Sequence, residues 1–432
     1  MRLRSSSNPF AVRWAKFAAG ERMPFLIRLA TGIPIAEPTY WITSARRPGG
    51  LQPNTLRNDL RALLHLYLWA EARRVNIEDR LASGALLTLA EIVDLDTFCG
   101  RRVAHALTEL PSASATPIKK SKRGKGARLE TSLLQKRNRL TAIYSFLEYA
   151  SAGYLSRLQF WPDRWAHYNQ VRVECLGWLK KRYEAITKPR GDDIGGSEGL
   201  EEDQLRLLRS VIEPDGDRNP FTFPVRFRNY LIVRLLLDLG LRRGELLGLY
   251  VEDCKVGGAG SITVHRRPDN PEDPRPEQPS SKTNARTLPL GRRLTEILYE
   301  WIVHHRTKIP GAQSHPFLIV DCRNGRPLCL SSVNKMMREM RGRVPGLPAN
   351  LSAHKLRHSW NDAFSDVMDR NGVAPDDESK WRARLMGWRS EGSAKPYLRR
   401  TIRRRSDEVL VTIQDGLEIP DVKGMERTHD QG

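Results

Sequence analysis

The sequence predicts a mainly α-helical protein with a small antiparallel β-sheet, an α+β class, divided into two domains. Its 432 residues exceed what one ordinary core accommodates. Apolar residues recur at helical spacing in several long windows. One stretch, Ser261-Ile262-Thr263-Val264-His265, alternates as a strand does, with Arg286-Thr287-Leu288-Pro289-Leu290 as its partner. Between the halves lies Lys188 to Ser197, where glycines, a proline and polar residues carry no apolar period and read as a linker.

Residues 1–50 form an N-terminal extension without a recognisable element. The first helix follows Pro53-Asn54, because Leu56, Leu60, Leu63, Leu64, Tyr67 and Leu68 fall on a helical stripe, and Asn54 or Thr55 supplies the cap. Pro111 to Arg128 is rich in Ser, Pro, Lys and Gly, buries too little to fold alone, and is expected to be a mobile charged loop. Leu140, Ile143, Tyr144 and Leu147 mark a second helix, expected to close at Ser151-Ala152-Gly153. A third covers about Val171 to Ile186. These place a helical domain at 51–187, a linker at 188–199, a second domain at 200–415 and a polar tail at 416–432.

The second domain opens with a helix near Leu200 to Ile212, whose Glu201, Glu202 and Asp203 suit the positive end of the helix dipole. Phe227 to Leu239 is apolar with a helical period, and Gly240 to Tyr250 restarts a helix behind it. Gly257-Gly258-Ala259-Gly260 reads as a turn into the strand at Ser261. Arg266 to Ser281 holds five prolines, which predicts a long irregular loop and not a tight hairpin. Helices resume after Arg292, with a short strand-like Phe317-Leu318-Ile319-Val320.

Charge narrows the function. The net charge is +21 and the pI about 10.1, a balance that favours a polyanionic partner through counterion release. The charge is clustered: Lys119, Lys120, Lys122, Arg123, Lys125 and Arg128 occur without an acid, and Lys380 to Arg405 holds ten basic residues against Glu391. Cys99, Cys175, Cys254, Cys322 and Cys329 are scattered and odd in number, so they read as reduced packing residues of a cytoplasmic protein. No apolar run reaches the roughly 18 residues of a membrane-spanning helix. The basic, serine-rich opening develops no amphipathic stretch and is not expected to be a targeting segment. No metal-ligand spacing, phosphate-cradling glycine loop or Ser-His-Asp arrangement is present, so neither metal nor cofactor is expected.

Three motifs carry the chemistry: Gly240-Leu241-Arg242-Arg243-Gly244-Glu245-Leu246, His354-Lys355-Leu356-Arg357-His358, and Leu385-Met386-Gly387-Trp388 with Tyr397 nine residues later. Guanidinium groups keep their charge and donate two parallel hydrogen bonds, which suits the oxygens of a phosphodiester. Glu245, one helical turn from Arg242, is placed to pair with it. In order and spacing the three resemble the boxes of the tyrosine recombinases, the phage integrase family.

That resemblance implies a helical SAM-like core-binding domain and a tyrosine-recombinase catalytic domain that clamp duplex DNA. It implies cleavage and rejoining through a 3′-phosphotyrosine intermediate without metal or ATP, and thus site-specific recombination or integration. Arg242 and Arg357 would bind the scissile phosphate, His354 would hydrogen-bond it or carry a proton, and Trp388 would donate its indole N–H. Tyr397 would be the nucleophile and Lys282, in Ser281-Lys282-Thr283, the acid for the leaving group. Glu245 and His358 would support the site. Arg243 is expected to face solvent or the DNA backbone. Lys119 to Arg128 and the run holding Arg399, Arg400 and Arg403 would contact phosphates. The family also implies a homotetramer on two double-stranded DNA sites, with room for accessory DNA-bending proteins, in a nucleoid-associated setting. A DNA-relaxing enzyme of the topoisomerase IB kind, or a catalytically silent DNA-binding regulator, would use many of the same residues.

Overall fold

The computed structural model describes residues 8–110, 130–187, 199–279, 283–390, 392, 406–407 and 409–414. The chain divides into two compact units, Met1–Gly196 and Ser197–Gly432. Among the described residues the structure is mainly helical, with one two-stranded and one three-stranded antiparallel sheet.

In the first unit, β1 (Phe10–Lys16) and β2 (Arg22–Arg28) pair from Phe10↔Arg28 to Lys16↔Arg22. Their connection uses Gly20 at φ +88°, a conformation glycine adopts without steric cost. Residues 8–50, for which the sequence yields no element, thus contain a hairpin, the short helix α1 (Ala36–Tyr40) and a π-helical turn at Trp41–Arg46. Phe10, Leu26, Trp41 and Ile42 are buried with α2 (Pro53–Arg73), so this segment completes the core of the first unit.

The short helices α3 (Ile77–Ser83), α4 (Leu89–Cys99) and α5 (Val103–Ala106) follow. Asn76 caps α3, and a reciprocal Thr88–Glu91 capping box starts α4. The long α6 (Leu133–Arg157) and α7 (Pro162–Ala185) close the unit. α6 does not end at Gly153. Ser151 bonds the Leu147 carbonyl and accepts from Arg172 of α7 at 2.9 Å, and Tyr154 donates to Glu37 at 2.8 Å. These ties outweigh the roughly 1 kcal/mol that an interior glycine costs a helix.

The second unit begins with α8 (Glu202–Val211), α9 (Phe223–Asp238) and α10 (Arg243–Gly248). β3 (Cys254–Lys255), β4 (Ser261–Val264) and β5 (Arg286–Pro289) form the sheet in that order, with Ser261 opposite Pro289 and Val264 opposite Arg286. α11 (Arg292–Glu300), α12 (Leu330–Arg343), α13 (Ala353–Arg370) and α14 (Pro375–Met386) complete it. The core joins Leu231 and Leu235 of α9 to Leu246, Ile262, Leu288, Leu298, Met340 and Leu356. The strand-like Phe317 to Val320 segment joins no sheet. It makes single antiparallel bridges, Tyr250↔Phe317 and Val320↔Pro327, while its side chains are buried.

The proline-rich loop after β4 is riveted, although its composition suggests irregularity alone. Arg275, buried beside Asp273 at 2.8 Å, donates to the carbonyls of Leu247 at 3.0 Å and Leu328 at 2.9 Å. Arg267 grips the buried Asp253 through two bonds of 2.9 and 2.7 Å. Among the described residues, the cysteines are all free, and no helix is long and apolar enough to cross a membrane.

Candidate active site

The site starts at the break between α9 and α10. Gly240 sits at φ +60°, and a Cβ there would lie 2.9 Å from both the Met386 methyl carbon and the Trp360 ring. The left-handed backbone and this close approach both require glycine. Trp360 meanwhile donates its indole N–H to the Asp238 carbonyl at 3.1 Å, satisfying the end of α9.

Arg242 occupies the N-cap of α10. Its backbone N–H donates to Glu245 Oε2 at 2.9 Å and its Nη1 to Oε1 at 3.2 Å, while the rest of the guanidinium stays partly exposed. The Glu245 carboxylate is buried, yet it receives more than Arg242. Arg286 of β5 donates to Oε2 at 2.9 Å, Thr283 to Oε1 at 2.6 Å, and Arg357 Nη1 stands 4.0 Å from Oε2. Burial pushes the Glu245 carboxyl up, but the Arg286 charge and the bonds from Arg286, Thr283 and the Arg242 backbone win, holding it below its ordinary range.

α13 presents the second set. Ser352 caps it, and helical spacing puts His354, Arg357 and His358 on neighbouring surface. The Arg357 side chain is only 2% exposed and donates to the Gly240 carbonyl, 117 residues away in sequence. Its own carbonyl accepts from Asn361 at 2.8 Å, and Asn361 in turn accepts from the buried Arg382 at 3.0 Å, which also pairs with Glu378. Trp388 follows Gly387, whose φ is +66°, and the Arg357 guanidinium lies 5.9 Å from its ring centroid.

The His354 and His358 rings meet edge to face at 4.4 Å. Desolvation of the ring by its neighbours, then the charges of Arg357 and Arg242, lower the His354 pKa, so the imidazole favours the neutral form. His358 is buried, and burial together with His354, Arg357 and Lys355 brings it down to about 4. An unfolded histidine near 6.5 binds a proton that this folded ring refuses. The contribution of neutral His358 to stability is therefore complete above pH 6.5 and is lost as pH falls toward 4. Thermal melts of His358→Asn and wild type are expected to differ most at neutral pH, with the gap narrowing by pH 5.

The structure brings Arg242, Glu245, His354, Arg357, His358 and Trp388 together around one carboxylate and the first turns of α13. Arg243 bonds Asn334 of α12 at the surface. Lys282, Tyr397, Lys119, Lys120, Lys122, Arg123, Lys125, Arg128, Arg399, Arg400 and Arg403 lie outside the described residues, as do the segment from Pro111 to Arg128 and all but the last residue of 188–199, expected from the sequence to be a charged loop and a linker. Sequence reasoning did not single out Arg286 and Thr283. The signal for Arg286 was present: it shares strand parity with the buried Leu288, and period-two alternation turns it inward.

A model of the phage integrase family matches residues 199–402. Over 161 residues the chain is 29% identical to tyrosine recombinase XerC of Mycobacterium tuberculosis (strain ATCC 25177 / H37Ra), covering 37% of this chain and 47% of that protein. Over 156 residues it is 29% identical to tyrosine recombinase XerD of Halalkalibacterium halodurans, covering 36% and 45%. The chain thus spans about half the length of the curated relatives it matches. The crystal structure of the XerH site-specific recombinase bound to palindromic difH substrate, a post-cleavage complex, aligns at 14% identity with a TM-score of 0.39, over 82% of this chain and 95% of that one. Residues 199–402 therefore match the phage integrase family model, and the chain is similar in sequence to tyrosine recombinases.

Proposed function

We propose that the protein is a site-specific DNA recombinase that cleaves and rejoins duplex DNA through a covalent 3′-phosphotyrosine, with neither metal nor ATP. The observation that carries this reading is the convergence of Arg242 and Arg357, from distant segments, on one buried carboxylate beside His354 and Trp388.

Arg242 and Arg357 bind the non-bridging oxygens and stabilise the extra charge of the pentacoordinate transition state, where preorganised cations act most strongly. The Tyr397 oxygen attacks phosphorus and gives up its proton, the bond to the 5′-oxygen breaks, and that oxygen takes a proton from Lys282. His354 hydrogen-bonds the phosphate or carries the phenol proton, and Trp388 donates its N–H. The ester keeps the energy of the broken bond, so the reverse attack by a 5′-hydroxyl reseals a strand.

A groove in the first unit supports duplex DNA as the partner. It measures about 980 Å³ and is walled by the hairpin, α2 and α6. Gln135, Asn138, Thr141 and Ser145 line it from α6 at helical spacing, with Arg13 and Arg61 opposite. Amides and hydroxyls suit base edges, and arginines suit phosphates. Strand exchange by a tetramer on two sites completes the proposed activity.

The test is to recover covalent protein–DNA complexes from cells expressing the chain and to sequence the attached DNA. The expected result is a phosphotyrosyl adduct confined to a narrow set of sites. Arg357→Ala is expected to lower the adduct yield on a recovered site by about 10²–10³-fold while binding persists. Saturated binding by the wild type without any adduct would favour a silent regulator.

A further inference from the structure

Resting on the reading of Arg242 as a phosphate ligand, we infer that Arg286 is a positioning residue for the cleavage step, locking the Arg242 cap to the turn that carries Trp388. Its guanidinium is almost wholly buried and works in two directions. Toward α10, Nη2 donates to Glu245 Oε2 at 2.9 Å, and Glu245 holds Arg242 through the backbone N–H and through Nη1. Toward α14, Nε donates to the Leu385 carbonyl at 2.6 Å, three residues before Trp388.

The contact with the α14 end is tight. A Cβ on Gly387 would lie 2.8 Å from Arg286 Nη1 and 2.9 Å from the Asn284 carbonyl oxygen, and the Asn284 N–H donates to the Gly387 carbonyl at 2.9 Å. Thr283 reinforces the node, accepting from Arg286 Nη1 at 3.1 Å while donating to Glu245 at 2.6 Å. β5 is therefore the rigid bar from which one planar fork fixes two separate parts of the site. An ammonium in its place would be a point charge that satisfies the carboxylate without reaching both partners in a fixed geometry.

The experiment compares wild type and Arg286→Lys in single-turnover cleavage of one recovered site, using a normal scissile phosphate and a neutral methylphosphonate. The lysine variant retains a cation for Glu245, and its melting temperature and DNA affinity report whether folding and binding survive. On the phosphate substrate its cleavage rate is expected to fall by about 10–100-fold, a loss of the size seen when catalytic geometry slips slightly. On the methylphosphonate, which has one fewer anionic oxygen for Arg242 to bind, the deficit is expected to shrink to a few-fold. A general loss of folded protein would depress both substrates equally, so equal deficits overturn the inference, as does a wild-type rate on the phosphate. A wild type that forms no adduct overturns the functional reading and this inference with it, whereas a cleaving wild type beside an unaffected variant overturns this inference alone.

Discussion

Tyr397→Phe is expected to bind its DNA site as tightly as wild type and to form no covalent adduct at any time point. The substitution removes one oxygen, the atom proposed to become bonded to phosphorus. The cationic surroundings are expected to remain, because Arg242 is held by Glu245, and Arg357 by Gly240 and the Arg382 network. A free phenol has a pKa near 10, so attack near neutrality depends on those guanidiniums favouring the phenolate or on a base taking the proton. Cleavage by the wild type should therefore rise with pH more steeply than binding does. Electrophoresis under denaturing conditions with end-labelled DNA reads the result directly, and an adduct formed by the Phe variant would show that another residue is the nucleophile.

The largest stability loss is expected from Glu245→Gln. The Glu245 side chain is 0% exposed and compensates Arg286, with a 6% exposed side chain, while Arg357 stands close by. An amide has the same shape, but its NH₂ points donors at donors. Removing one member of a buried charge group typically costs about 3–5 kcal/mol, because the partner charge stays buried and uncompensated. For a unit of this size that corresponds to a melting temperature lower by roughly 6–20 °C. The acid side supplies a second signature. Since the folded-state pKa of Glu245 is depressed below 4.5, the carboxylate's contribution is present above that pH and is lost as pH falls through the lower folded value. The Gln variant should lack that part of the acid-induced loss. A variant that melts at the wild-type temperature would mean the three arginines do not need this carboxylate.

Much of this site was legible in the sequence because its parts obey local rules. Gly240 announces a left-handed break, Glu245 lies one turn from Arg242, and His354, Arg357 and His358 share one helix face. The helix at Pro53 and the pairing of Ser261–Val264 with Arg286–Pro289 were legible for the same reason, since apolar period is a local signal. The expected cap at Asn54 or Thr55 was wrong: both lie inside the helix, which starts with Pro53 behind Gln52 and has no side-chain cap. What stayed hidden depends on contacts between distant residues. The hairpin at Phe10–Arg28 is short and its apolar positions gain meaning only against α2. The continuation of α6 past Gly153 is decided by Glu37 and Arg172. The rigidity of the proline-rich loop comes from Arg275 reaching Leu247 and Leu328, partners that no window of neighbouring residues contains.

The node at Glu245 has an arithmetic of its own. Arg242, Arg286 and Arg357 bring three positive charges to a single negative one, leaving an excess of two on a small patch of protein. That surplus equals the double negative charge a phosphodiester acquires halfway through substitution. On the proposed reading, the node thus supplies the counter-charge of that transition state from groups already fixed by the fold.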